Sequence, residues 1–303
     1  MNNTTAISAE KRINCKVVSV ANQKGGVAKT TTAVNLGIGL AREGRRVLLI
    51  DADAQGSLTA SLGVQEPDSL EYTLTTVMGY MINDESFDIK KGIIHHEEGV
   101  DLMPGNIELS GMEVSLVNIM SREYVLREYI EIIKDNYDYI IIDCAPSLGM
   151  VTINAFAASD SILIPCQAGY LPAKGLEQLV KTIRKVKKQK INPDLKIAGI
   201  LLTMVDGRTN FSKEIIKLIE KGYGTIVPIF KNEIPMSIRV AECSALGISI
   251  YKNDTRNLRQ RKLKQENVKH RKNLKKRKKP RKRKKNRRNL RKKKRQRKVM
   301  IPA

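Results

Sequence analysis

The chain has no tryptophan and only four phenylalanines in 303 residues, and it has four cysteines. Cys15, Cys144, Cys166 and Cys243 are scattered without CxxC spacing, which argues against a disulfide framework and against a cysteine zinc site. Cys15 and Cys144 lie in or beside apolar runs, where a free thiol behaves as a small hydrophobe. No apolar run approaches the roughly 20 residues that a bilayer requires. The leading stretch MNNTTAISAEKRINCK lacks the apolar segment of a secretory signal. The expectation is a cytoplasmic chain. Acidic residues are scarce in one place only. The formal net charge is +24, yet residues 252–303 hold 28 Lys+Arg against two acids, which leaves 27 Lys+Arg and 29 acids in residues 1–251. The body is therefore near neutral. A nucleic-acid-binding function inferred from overall charge would concern the terminal block alone.

Apolar runs of strand length recur between helix-length amphipathic stretches. Strands are expected near 16–21, 46–50, 100–103, 139–143, 161–165, 197–204 and 225–229, and helices near 30–43, 70–81, 122–135, 173–189 and 211–222. This alternation indicates an α/β fold: a doubly wound, mostly parallel sheet with helices on both faces. In such sheets the working loops sit at the C-terminal ends of the strands. Residues 1–13 read as a polar lead, 14–251 as one P-loop domain, and 252–303 as a polybasic tail.

The first strand is followed by Lys24-Gly25-Gly26-Val27-Ala28-Lys29-Thr30-Thr31 and then a helical pattern. Strand, glycine-bearing loop, Lys-Thr and helix form the context in which backbone N–H groups and a helix N-terminus cradle phosphates. In that context Lys29 reaches the β/γ-phosphates and Thr30 ligates Mg²⁺. Gln23 and Ala28 occupy the two glycine positions of the usual pattern. The second strand runs into Asp51-Ala52-Asp53 and the fourth ends in Asp143. Carboxylates at that edge can hold a metal through water or orient an attacking water. One such Asp alone would read as a helix cap.

These motifs resemble the deviant Walker A ATPases, most closely the ParA/Soj partition ATPases. Lys24 matches the family's extra lysine, and Lys29 and Thr30 match its P-loop. Asp51, Asp53, Gln55 and Gly56 match its Asp-x-Asp-Pro-Gln-Gly motif, and Asp143 closes the Walker B segment. The likeness spans roughly residues 14–251. It implies ATP and Mg²⁺ as cofactors and a nucleotide-dependent homodimer in which Lys24 reaches across the interface. It implies that Asp53 positions water and that Asp143 supports Mg²⁺ through water. It further implies a ParB-like centromere-binding partner, a nucleoid-associated location, no membrane, and sequence-independent contact with double-stranded DNA through Arg208 and Arg239. A solvated or ion-paired surface arginine is the plainer fate of each.

Three departures stand out. Ala28 replaces the family's glycine, where positive φ and close backbone approach are needed, so weaker binding or slower hydrolysis is expected. Ala54 replaces a proline, which loosens the Asp53 loop. Met236 replaces a basic residue in many relatives. Elsewhere, His95-His96-Glu97-Glu98 reads as a solvated loop, and the stripe Leu109, Met112, Leu116, Met120 as packing. The basic run Lys181, Arg184, Lys185, Lys187, Lys188, Lys190 suits a helix C-terminus or a second DNA-facing patch.

The tail has apolar residues too sparse for a packing stripe, which predicts disorder in isolation. The family continues at this point with an amphipathic helix. A reading-frame shift in an adenine-rich gene would produce the Lys- and Arg-rich block, and the nucleotide sequence decides that. Two other functions are open: a MinD-like membrane-associated switch, against which the tail's missing apolar face argues, and a polyanion-binding protein acting through its tail.

Overall fold

The computed structural model describes residues 15–169 and 172–254. The polar lead and all but the first three residues of the basic block lie outside the described residues, and with them the expectation of a disordered tail. The described strands are β1 (Lys16–Val20), β2 (Val47–Ala52), β3 (Ile94–His95), β4 (Asp101–Met103), β5 (Tyr139–Cys144), β6 (Ser161–Gln167) and β7 (Lys196–Thr203). They form one sheet in the order β3-β4-β2-β5-β1-β6-β7, parallel throughout except for the antiparallel β3–β4 pair. β1 therefore lies inside the sheet, next to β5 and β6, and the loop that leaves it is flanked on both sides.

Both faces of the sheet are covered, as near-continuous apolar strands require. All six residues of β2 are buried. Leu48, Ile50 and Ala52 join a core with α3 (Leu74–Ile82), α4 (Leu109–Ser115), α5 (Val125–Ile133), α6 (Met150–Ala158), α7 (Pro172–Lys188) and α8 (Asn210–Tyr223). Val47 and Leu49 point the other way, to a smaller core with α1 (Lys29–Arg42) and α2 (Ser57–Ser61). The period of two along a strand divides the cores in this way. Helix α9 (Ile238–Leu246) precedes Ser249, Ile250 and Tyr251, and residues 250–254 are again helical. Ser249, Ile250 and Tyr251 are fastened to distant parts of the body. Glu98 accepts from the Ser249 N–H and hydroxyl, Asn35 Oδ1 accepts from Ile250 N at 2.9 Å, and the Tyr251 ring lies under Arg42 at 5.1 Å.

Several expectations need correction. The run at 225–229 is not a strand; only Ile229 bridges to Ile200. Pro228 accepts from Ile200 N at 2.8 Å but has no N–H to return, so the ladder does not propagate. His95-His96-Glu97-Glu98 is a solvated loop only in part, with His95 and Glu97 exposed and 97–98 a turn. His95 belongs to β3 and meets Asp101 at 2.8 Å, His96 is 8% exposed, and Glu98 holds Ser249. Leu109, Met112 and Leu116 pack in the core as expected, but Met120 is 91% exposed because the helix ends before it. α2, α4, α6 and α9 were not anticipated.

Candidate functional site

The site grows from the C-terminal ends of β1, β2 and β5. Beyond β1, Asn22 is buried and its side chain is committed at both ends. Its Nδ2 donates to Pro165 O at 2.7 Å, and its Oδ1 accepts from Lys24 N at 3.0 Å. This fixes where the glycine loop begins. The loop is anchored at its crest as well, since Val27 is fully buried and its carbonyl accepts from the Thr203 hydroxyl of β7 at 3.0 Å. Gly25 and Gly26 have open space where a side chain would stand, and Gly26 has a φ of +71°. These are conditions for backbone N–H groups to approach an anion.

Ala28 caps α1 with φ 66° and ψ 34°, in the left-handed region. An L-residue there costs about 1–2 kcal/mol. Replacement by glycine removes that strain but raises the entropy of the unfolded chain, so Ala28→Gly should stabilise the protein by about 0.5–1 kcal/mol. Urea unfolding would read it. A lower midpoint for the variant would contradict the strain.

Lys29 opens α1 and is 7% exposed, its Nζ 3.4 Å from the carbonyl of Lys24. Burial lowers its pKa, while Asp143 and Asp53 work to raise it. The next residue, Thr30, donates from Oγ1 to Asp143 Oδ2 at 2.6 Å. The other Asp143 oxygen is buried and has no hydrogen-bond partner. A buried orphan acceptor is costly, and a hard cation with its water is the kind of group that would satisfy it. The residues present therefore fit a magnesium ion.

β2 and β5 are in register with Asp51 directly beside Asp143. Burial pushes the Asp51 carboxyl up to about 7 against the hydrogen bonds from Thr59. Burial first, and then the neighbouring Asp51, push Asp143 well above the usual carboxylate range. Both groups hold protons in the folded chain at pH values where the unfolded chain has released them. The unfolded state then binds fewer protons, so stability without nucleotide falls as pH rises from about 4 to about 7. Melting temperatures between about pH 5 and about pH 8 should decline, and Asp143→Asn should flatten the slope. A melting temperature that climbs over this range would refute the carboxylate pairing.

Asp53 is half-buried at the start of the turn after β2, where its Oδ1 accepts from Gln55 N at 3.1 Å. The structure thus gathers Gly25 to Thr31, Asp53 and Asp143 at one sheet edge, as expected. Arg208 stands past the end of β7 and Arg239 in the first turn of α9, and between them Met236 N donates to Val205 O at 3.2 Å. Arg208 is held by Asp206, with its Nε 2.9 Å from Oδ1 and an NH2 3.2 Å from Oδ2. In the α7 basic run, Lys181 pairs with Glu177 and Lys187 donates to Leu195 O at 2.8 Å. Arg184, Lys185 and Lys188 are exposed.

Sequence reasoning missed the residues that hold the site from outside the motifs: Asn22, Thr203, Thr59 with Gly105, and Glu113. Glu113 of α4 caps α6, accepting from Met150 N at 2.6 Å and Val151 N at 3.1 Å. Asn22 alone left a local signal, as an Asx residue two positions before a turn N–H.

Residues 15–197 match the protein family described as an AAA domain. The chain is 44% identical over 243 residues to the sporulation initiation inhibitor protein Soj of Bacillus subtilis, covering 80% of this chain and 92% of Soj. It is 41% identical over 244 residues to the chromosome partitioning protein ParA of Myxococcus xanthus, covering 80% and 83%. Among solved structures, cobyrinic acid a,c-diamide synthase from Mycobacterium smegmatis, with bound ATP analog and magnesium, aligns with a TM-score of 0.68 and 38% identity. That alignment covers 77% of this chain and 91% of the other.

Proposed function

The chain belongs to the ParA/Soj family of partition ATPases, and on that premise we propose that it hydrolyses ATP as a DNA-segregation switch. One observation carries this reading: Thr30 bonded to Asp143, whose second oxygen is buried and unpaired, at the mouth of an anchored glycine loop beside a buried lysine. The loop from Gly25 to Thr31 binds the phosphates of ATP, and Lys29 neutralises the charge that builds on them. Thr30 and Asp143 would hold Mg²⁺. When bound, Mg²⁺ would supply neutralisation of phosphate charge. Asp53 orients the attacking water. Lys24 reaches the nucleotide of a second copy, so that dimer formation depends on ATP.

The dimer binds double-stranded DNA through phosphate contacts at Arg208 and Arg239, with a ParB-like centromere-binding partner stimulating turnover and release. The body is near neutral, so these contacts come from placed residues and not from overall charge. Among the described residues no helix is long and apolar enough to cross a membrane. The test is ATP turnover with and without double-stranded DNA, alongside light scattering with ATP and with ADP. Turnover above the Asp53→Ala background and an ATP-dependent doubling of mass are expected. Turnover no higher than that background would reduce the protein to a nucleotide-binding switch.

A further inference from the structure

Thr59 lies on α2, outside the phosphate loop and the acidic motif. It is fully buried, as is Asp51. A threonine hydroxyl has one hydrogen to give and lone pairs to accept with, and both capacities are used here. Thr59 Oγ1 donates to Asp51 Oδ2 at 2.7 Å and accepts from Gly105 N at 3.0 Å. The Thr59 N–H donates to the same Asp51 oxygen at 2.8 Å. The remaining oxygen, Asp51 Oδ1, accepts from the backbone N–H of Asp53 at 3.3 Å. A continuous chain of hydrogen bonds thus runs from the loop after β4, through Thr59 and Asp51, to the backbone that carries Asp53. Ala54 follows Asp53, so no proline ring stiffens that turn, and the restraint has to come from elsewhere.

We propose that Thr59 is a positioning residue for hydrolysis, holding Asp53 in place by locking Asp51 against α2 and the Gly105 loop. Asp51 on this account is an anchor, its oxygens taken up by the protein. The proposal rests on Asp53 being the water-orienting carboxylate. Misplacing such a group by even 1 Å can cost about a hundredfold in rate, whereas the phosphate loop, held separately by Asn22 and Thr203, keeps its shape.

The test compares Thr59→Val, which keeps the shape and loses both hydrogen bonds, with Thr59→Ser, which retains them. Thr59→Val should lower kcat by about tenfold or more while leaving KM for ATP within about twofold, and Thr59→Ser should recover most of the rate. Amide hydrogen exchange should speed up at residues 53–57 in Thr59→Val without a change in β1 or β5. A wild-type kcat in Thr59→Val, or a Thr59→Ser variant as slow as the valine, would overturn the proposal. If Asp53→Ala leaves turnover intact, the role given to Asp53 fails instead. The exchange experiment then decides the tether by itself: unaltered exchange at residues 53–57 rejects it and faster exchange sustains it.

Discussion

Lys29→Ala should abolish ATP turnover to within background, a loss of at least about a hundredfold, and should weaken nucleotide binding as well. Removing one preorganised donor to developing charge costs about 10²–10³ in rate. Lys29 does more than donate, because it is the buried cation facing Asp143 and Asp53. Without it, Asp51, Asp53 and Asp143 share one sheet edge without that cation, and Asp143 loses a charge that favours its ionised form. Magnesium alone would then have to offset both the carboxylates and the phosphates. Coupled-assay turnover and fluorescent-nucleotide titration would measure the two effects. Retention of more than about a tenth of wild-type turnover would mean that the phosphate charge is met by another group.

Gly105→Ala should destabilise the fold by about 3 kcal/mol, near the upper end of overpacking costs. A β-carbon at this position would stand 2.3 Å from the carbonyl oxygen of Asp51. That neighbour is backbone in the middle of the sheet, so it has no rotamer into which to retreat. The clash would fall where Gly105 N meets Thr59, and the hydrogen-bonded chain to Asp53 should loosen with it. Urea unfolding should show a lower midpoint with an unchanged slope. A shift below about 0.5 kcal/mol would mean that the loop after β4 moves freely away from β2.

How much of this was legible beforehand depends on the range of the interaction. The parallel sheet, the glycine loop, Lys29, Thr30 and Asp143 are written in short runs whose meaning is local. α6 was not legible because most of its residues are buried, so its sequence has no apolar stripe with a polar opposite side. α4 is seven residues long and contains Gly111, too short for a period to emerge. The strand expected at 225–229 failed on Pro228, a residue whose missing N–H outweighs the β-branched residues around it. The restraints on the site were the least legible. Thr203 meets Val27 across 176 positions and Thr59 meets Gly105 across 46, and neither pair leaves a trace in the residues next to it. Ala28 is the instructive middle case. The need for a positive φ was readable from the motif, and the structure places alanine there at φ 66°.

The fastening of Ser249, Ile250 and Tyr251 to Glu98, Asn35 and Arg42 has a consequence for inheritance. Glu98 and Ser249 are 151 positions apart, and Asn35 and Ile250 are 215 apart, so the end of the body is clasped back onto its first hundred residues. Gly39 belongs to the clasp, since a side chain there would run into the Tyr251 hydroxyl at 2.8 Å. The contacts named here are all made by residues before 252. A lineage could therefore rewrite the codons downstream, by a slipped frame or a fused segment, without unpicking these contacts. A stop codon three residues earlier would remove them all.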